Sequence, residues 1–392
     1  MGDMGQMTKT LTELGLRAAG GREAQISGLT VDSRAVKEGM LFAALPGVAV
    51  HGAAFIGKAL AQGATAILTD AQGAALAADE IAAANAALIV AQDPRQALAQ
   101  TASLWFGPHP STVVAVTGTN GKTSVSTFAR QIWEEMQIAG VNLGTTGVEG
   151  AWTHPLKHTT PEPITLHRVM AQAKAEGVTH VAMEASSHGL DQRRLDGVLL
   201  TAAAFTNFTQ DHLDYHETFE AYFAAKMGLF TRVLADDAVA VVNLDDPKGP
   251  QVASICTDRG QEVIGVGRHV DARLRLTGQR FDATGQDILF TWQGKPHQAR
   301  LNLIGGFQAD NILLAAGLVI AAGADAHDVF ETLPHLSTVR GRMELAARRE
   351  NGASVFVDYA HTPAAIATAL KAMRPHVMGR LVAIVGAGGD RD

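Results

Sequence analysis

Residues Val113–Ser124 read VVAVTGTNGKTS, a β-branched run that stops at a glycine-rich turn and restarts as a helix headed by Lys122 and Thr123. Such a turn leaves backbone N–H groups and a helix N-terminus aimed at an anion. Lys122 adds a point charge for the outer phosphates, and the Thr123 hydroxyl is placed to hold Mg²⁺. The segment therefore demands a strand, a turn and a helix in that order, at the C-terminal end of a buried strand where open α/β sheets bind ligands. It also departs from the common phosphate loop, which wants glycine where this chain has Val116.

The chain has 392 residues, too many for one ordinary core, and two to three domains are expected. Apolar residues make up 47%, which fits a soluble globular α/β protein. A net charge of −7 argues against wholesale nucleic-acid binding but leaves local arginines and helix N-termini free to hold anions. The lone Cys256 excludes an internal disulfide and fits a reducing compartment. Met1–Thr10 lacks the basic start and apolar stretch of a signal peptide, so a cytoplasmic location is expected. Ile312–Ala324, the longest apolar stretch, is too short to span a bilayer and reads as a buried helix. No membrane partner is expected.

The first third alternates strand-like runs, Leu29–Val31, Leu41–Ala44, Thr65–Leu68 and Ala87–Val90, with helical stretches such as Ala53–Gln62 and Pro94–Trp105. Two prolines in Gly107-Pro108-His109-Pro110 forbid a continuing helix and mark a linker, giving a first domain over residues 1–108. The second, residues 109–336, carries the phosphate strand and further apolar strands at Val178–Met183, Ala202–Phe208 and Ala238–Asn243. Arg273–Leu303 alternates apolar and polar residues, with turn signals at Thr277-Gly278, Thr284-Gly285 and Gln293-Gly294. It reads as an antiparallel meander before a helix from Asp310. In the third, residues 337–392, strands at Ser354–Val357 and Leu381–Val385 flank a helix over Pro363–Met373. A single βαβ unit cannot cover both faces of its sheet, so this domain reads as incomplete.

Several constellations follow strand ends. MEASSHGL, Met183–Leu190, puts Glu184 level with the phosphate turn, where it is either a Mg²⁺ carboxylate or a solvated loop acid. TNFTQDHLDYH, Thr206–His216, packs Asp211, His212, Asp214 and His216 together, as a cation or phosphate site or as a hydrogen-bonded loop. Lys226 lies in the apolar helix FAAKMGLF. The commoner outcome for such a lysine is to snorkel to the surface. Drawn instead into a crevice, a neutral amine can react with CO₂ to give an anionic, metal-binding carbamate. HTTPEP, His158–Pro163, offers the hydroxyls of Thr159 and Thr160, and Ser186, Gln192 and Arg194 add donors suited to carboxylates or phosphates. DYAHTP, Asp358–Pro363, and GAGGDRD, Gly386–Asp392, are site segments or simple turns.

Together these motifs resemble the Mur ligases, from VDSR at Val31–Arg34 through GTNGKT, HTTP, EASSHGL, DHLDYH, AAKMGLF and DYAHTP to GGDRD, in family order. The resemblance covers essentially the whole chain. It implies a three-domain α/β architecture with a central parallel-sheet, P-loop-like ATPase domain and an incomplete, Rossmann-like C-terminal domain. It also implies an amide ligase that uses ATP and Mg²⁺ to phosphorylate the carboxylate of UDP-N-acetylmuramoyl-L-alanyl-D-glutamate. The amine of a diamino acid, meso-diaminopimelate or lysine, with meso-diaminopimelate the more frequent choice in the family, would then attack the acyl phosphate.

By the same resemblance, Gly118, Thr119, Asn120, Gly121, Lys122, Thr123 and Ser124 would hold the ATP phosphates. Thr123 and Glu184 would lie near one Mg²⁺, with His212 and carbamylated Lys226 serving a second. Asn311 would face the adenine, and Arg342, Asp358 and His361 would close the nucleotide site. Val31, Ser33, Thr159, Thr160, Ser186, Gln192 and Arg194 would bind the UDP-substrate, and Arg391 the incoming amino acid. Lys122, Glu184, His212 and Lys226 would be the catalytic set.

The chain departs from the family at Gln308, where GxFNxxN has its first asparagine, and at Gly47–Gly52, which lacks polar residues for uridine. An Asp-Asn-Pro-Arg motif that selects the diamino acid is absent, so a fragment that binds ATP and donor without turnover is one expectation. A folylpolyglutamate-type ligase, which shares GTNGKT, is another. The oligomeric state is not legible, with a monomer the default.

Overall fold

The computed structural model describes residues 8–47, 50–209 and 215–386. His212 and Arg391, like Asp211 and Asp214, lie outside the described residues. The chain forms two compact units. One comprises Met1–His109, Pro161–Ala175 and His188–Val198, the other Pro110–Thr160, Glu176–Ser187 and Leu199–Asp392.

In the first unit, β1 (Gly28–Thr30), β2 (Met40–Ala43), β3 (Ala66–Thr69) and β4 (Ala87–Val90) form a parallel sheet in chain order. All four were legible in the sequence to within two residues at either end. Period-two alternation sends Leu41 and Ala43 to one face, where they meet Leu98, Ala102 and Trp105, and Phe42 to the other, with Ile56 and Ala59. Asp93 caps the helix Pro94–Phe106 by accepting from Gln96 N at 3.1 Å, with proline in its first turn, and Gly107 at φ 82° ends it.

The helix Pro163–Ala175 belongs to this unit and packs against Pro94–Phe106. There the imidazoles of His109 and His167 stack at 4.7 Å between centroids, with Nε2 of His109 3.0 Å from Nδ1 of His167. Burial, and secondarily the neighbouring His109, push His167 down to about 3; burial alone lowers His109.

The second unit is built on a ten-stranded sheet. Its strands are β5 (Thr112–Thr117), β6 (Gly140–Gly144), β7 (Gly147–Gly150), β8 (His180–Glu184), β9 (Ala202–Phe205), β10 (Val239–Asn243), β11 (Glu262–Gly267), β12 (Leu274–Asp282), β13 (Gly285–Trp292) and β14 (Lys295–Leu301). Their order is β14-β13-β12-β11-β10-β9-β5-β8-β6-β7, parallel from β12 to β6 and antiparallel at both margins. After β5 the chain first adds strands on one side and then, from β9, on the other. The phosphate turn therefore leaves the sheet where strand order reverses, the place such sheets keep for ligands. The helices Lys122–Glu135 and Phe307–Ala321 cover one face through Phe128, Ile132, Ile312 and Leu313. Among the described residues no helix is long and apolar enough to cross a membrane.

The structure corrects the sequence reading in three places. Thr277-Gly278 is not a turn but lies at a register shift within β12, between Leu276 and Gly278, so the meander has two turns. The apolar helix starts at Phe307, three residues before Asp310. Leu381–Val385 is not a strand: among the described residues nothing pairs with it, and Val382 and Ile384 are exposed. Instead β15 (Glu344–Arg348) and β16 (Ser354–Val357) form an antiparallel hairpin, followed by the helix Pro363–Met373.

Candidate functional site

β5 ends at Thr117, and its register aligns Val116 with Glu184 of β8 and Thr117 with Phe205 of β9. Three strand ends thus stop level, and the loops that follow them carry the candidate residues. Gly118 (φ 146°) turns the chain so tightly that a Cβ there would overlap the Thr206 hydroxyl. Gly121, at φ 89°, is the N-cap of the helix Lys122–Glu135, which has no side-chain cap of its own. The loop is pinned from β9: Thr119 N donates to Asn207 O at 2.8 Å, Asn120 N to Asn207 Oδ1 at 2.9 Å, and Thr206 Oγ1 to Asn120 O at 2.6 Å. A pre-shaped loop with an uncapped helix start is an anion site.

Two lysines converge on this loop. Lys122 Nζ donates to the carbonyls of Gly118 and Thr119, both at 2.9 Å, and Lys226 Nζ donates to Gly118 O at 2.8 Å. Lys226 is only 1% exposed and lies 4.4 Å from the Tyr222 ring centroid, so the snorkelling surface position is ruled out. The Tyr222 hydroxyl lies 3.3 Å from Thr119 Oγ1. Sequence reading passed over Tyr222, although it precedes Lys226 by four residues and so shares its helix face.

Glu184 is buried, at 2% exposure, which overturns the solvated-acid alternative. Its carboxylate accepts from Thr123 Oγ1 at 3.1 Å to each oxygen and from Thr145 N at 2.8 Å. Thr145 at the end of β6 was also missed, because nothing in GTTG marks it until β6 and β8 pair. A buried carboxylate beside a hydroxyl at the start of a helix is a hard-oxygen donor set, which suits Mg²⁺. Arg342 Nη2 reaches Thr123 Oγ1 at 3.3 Å, and its guanidinium lies 4.8 Å from the Tyr359 ring centroid.

On the other flank, Asn311 stands beside the turn, its Oδ1 2.7 Å from where a Cβ on Gly121 would lie. Gln308, the departure noted above, is buried and accepts from Asn311 Nδ2 at 3.3 Å. The neighbouring Asp310 binds Arg268 at 2.9 Å. Burial pushes its carboxyl up to about 6, against the pull of Arg268 and with the help of Asp245. Ser124 is buried within the helix. Asp358 accepts from the backbone of Met343 and Ala360, both at 2.9 Å, while His361 is exposed with Nδ1 2.9 Å from Tyr359 O. Neither is brought to the phosphate turn by a described contact.

Thr159 and Thr160 do join the Glu184 cluster. Thr160 Oγ1 donates to Glu184 O at 2.8 Å and accepts from Ser186 N at 3.0 Å, and Thr159 Oγ1 lies 3.1 Å from Thr145 Oγ1. Within the first unit, Ser33 is buried in a short helical turn capped by Asp32, and Val31 is 41% exposed. The Arg34 guanidinium holds the Asp32 carboxyl down at about 2. Gln192 and Arg194 contact each other at 2.8 Å in that unit.

Three family descriptions match this chain: Mur ligase family, catalytic domain, over residues 25–105; Mur ligase middle domain over 116–319; and Mur ligase, glutamate ligase domain, over 341–392. The chain is 42% identical to the UDP-N-acetylmuramoyl-L-alanyl-D-glutamate--2,6-diaminopimelate ligase of Zymomonas mobilis subsp. mobilis, over 98% of this chain and 79% of that one. It is 45% identical to the ligase of the same name from Bradyrhizobium diazoefficiens, over 94% and 75%. A solved structure bearing that enzyme name superposes with a TM-score of 0.80 at 30% identity, over 98% of this chain and 78% of that one.

Proposed function

Because the chain belongs to the Mur ligase family, we propose that it is an ATP-dependent amide ligase of peptidoglycan precursor synthesis, joining a diamino acid to UDP-N-acetylmuramoyl-L-alanyl-D-glutamate. The relatives' shared name points to 2,6-diaminopimelate as the acceptor. The observation that carries the reading is the convergence of Lys122, Thr123, Glu184 and Lys226 around one phosphate turn at the point where strand order reverses.

In this reading the backbone N–H groups of Gly118–Ser124 and the helix start orient the ATP phosphates, and Lys122 leaves its loop carbonyls for the outer phosphate oxygens. Asn311 recognises the base, with Arg342, Asp358 and His361 closing over the nucleotide. Thr123 and Glu184 would hold one Mg²⁺, and His212 with a carbamate on Lys226 a second, and the chemistry supplied there would be neutralisation of phosphate charge. The D-glutamate side-chain carboxylate takes the γ-phosphoryl group as an acyl phosphate. The acceptor amine then displaces phosphate and forms the amide.

Thr159, Thr160, Ser186, Gln192 and Arg194 hold the muramoyl-peptide part of the donor, and Val31 and Ser33 the uridine end. Residues 1–108, 109–336 and 337–392 would be the donor, ATP and acceptor domains, and Arg391 would meet the incoming amino acid. A cytoplasmic location fits soluble nucleotide substrates.

The first half-reaction tests the reading without reference to the acceptor. Mixed with ATP, Mg²⁺, donor and hydroxylamine, the protein should release ADP and give the donor hydroxamate, by trapping of the acyl phosphate. Release of ADP that depends on a folate instead of the UDP-linked donor would assign the chain to the folylpolyglutamate type, and no donor-dependent ADP at all would refute the ligase reading.

A further inference from the structure

Thr145 stands at the rim of the Glu184 cluster, exposed, one residue past the end of β6. Its backbone N–H donates to Glu184 Oε1 at 2.8 Å and its hydroxyl to Oε2 at 3.3 Å, so one residue grips both carboxylate oxygens. Gly144, immediately before it, allows this grip, since a Cβ there would overlap the carboxylate. The Thr145 hydroxyl also lies 3.1 Å from the Thr159 hydroxyl. A threonine hydroxyl has one proton, and a carboxylate can only accept. Once Thr145 gives its proton to Glu184, Thr159 must be the donor in the second contact. The hydrogen bonds therefore run one way, from Thr159 to Thr145 to Glu184.

We propose that Thr145 is a positioning residue that couples cation binding at Glu184 to occupancy of the Thr159–Thr160 loop. This rests on the reading of Glu184 as a cation carboxylate and of that loop as part of the donor site. A carbonyl- or carboxylate-rich donor takes the Thr159 proton for itself. Thr145 then loses the contact that polarised it, its bond to Glu184 weakens, and the carboxylate is left with more charge for a cation. Donor binding thus tightens the cation, and by linkage the cation tightens the donor to the same extent.

The test is Mn²⁺ binding, followed by its electron paramagnetic resonance signal, on the full chain with a non-hydrolysable ATP analogue, with and without saturating UDP-N-acetylmuramoyl-L-alanyl-D-glutamate. Donor should tighten Mn²⁺ about five-fold or more in the wild type and in Thr145→Ser, a magnitude ordinary for coupled sites. In Thr145→Val and in Thr159→Val the factor should fall to about one, and the double variant should lose nothing further, as expected of two members of one chain. A donor that binds without tightening Mn²⁺ in the wild type, or a Thr145→Val protein that keeps the wild-type factor, overturns the proposal. Glu184→Gln separates the two levels: unchanged Mn²⁺ affinity there defeats the assignment of Glu184 itself. Loss of Mn²⁺ in Glu184→Gln, with coupling intact in Thr145→Val, defeats only the role of Thr145.

Discussion

Replacing His167 by Phe should flatten the acid side of the stability profile of the unit that holds it. His167 is fully buried, and its environment pushes it down to about 3 from an ordinary 6.5. The folded-state pKa is thus depressed relative to the unfolded one. The neutral ring contributes its stability above pH 6.5, and that contribution is lost as the pH falls from 6.5 toward 3. Each pH unit in that window removes about 1.4 kcal/mol, so the unit should be weaker by about 3 kcal/mol at pH 4.5 than at pH 7, from this one group. His109, also lowered, adds to the loss in the same direction.

Phenylalanine keeps a ring to stack on His109 but takes up no proton. It forfeits the imidazole contact, about 1 kcal/mol, which shifts the whole profile without changing its slope. Hydrogen exchange read by mass spectrometry on peptides covering Pro163–Ala175, in mild urea between pH 7.5 and 4.5, gives the opening free energy of that helix directly once intrinsic exchange rates are divided out. Parallel pH slopes for wild type and His167→Phe, or an imidazole resonance of His167 titrating near 6.5, would refute the reasoning.

Two further perturbations probe the phosphate turn. Gly118→Ala must place a methyl group against the Thr206 hydroxyl at a left-handed φ of 146°; if the loop absorbs about 1–3 kcal/mol of strain, ATP affinity measured by calorimetry should fall ten-fold or more while the melting profile stays cooperative, and unchanged affinity would show that the turn is not a tight cradle. Lys226→Arg should abolish turnover, because a guanidinium cannot become a carbamate, and Lys226→Ala should recover more activity with a short carboxylate than with bicarbonate. Gentle intact-mass measurement at neutral pH that finds Lys226 unmodified would count against the carbamate.

What the sequence disclosed follows from what each feature needs. The turn at Gly118–Thr123 is contiguous, and its glycines, lysine and threonine carry their geometry locally, so it was legible in full. The four strands of the first unit were legible because Leu41–Ala44 and its counterparts are short apolar runs bounded by turn residues. β6, β7 and β11 were not, since GVNLG, GVEG and EVIGVG are rich in glycine and read as loop until neighbouring strands supply their hydrogen bonds. Gly278 has the same chemistry in a bulge as in a turn, and only the register of β12 against β13 tells them apart. Lys226 was ambiguous for a related reason: its burial is decided by Gly118 and Tyr222, one of them 108 residues distant. Thr145 and the His109–His167 pair have no local signature at all, because each acquires meaning only from a partner brought in by tertiary packing.

The first unit is discontinuous: its sheet and the helix Pro94–Phe106 come from the opening residues, while Pro161–Ala175 and His188–Val198 return to it later. During synthesis its sheet therefore emerges from the ribosome well before the helix that packs on Pro94–Phe106, and the last of its pieces follows His109 by about 90 residues. At ordinary elongation rates this is a delay of roughly 4 to 18 seconds, in which the face of Pro94–Phe106 that packs on Pro163–Ala175 stays uncovered. By then β5, the phosphate turn and β8 have also been made, so the second unit starts to form before the first is complete, although its strands β9 to β14 follow only after Val198. A gene fragment cut after the Gly107–Pro110 linker would encode a sheet with part of its packing missing, and such a product should be short-lived in cells.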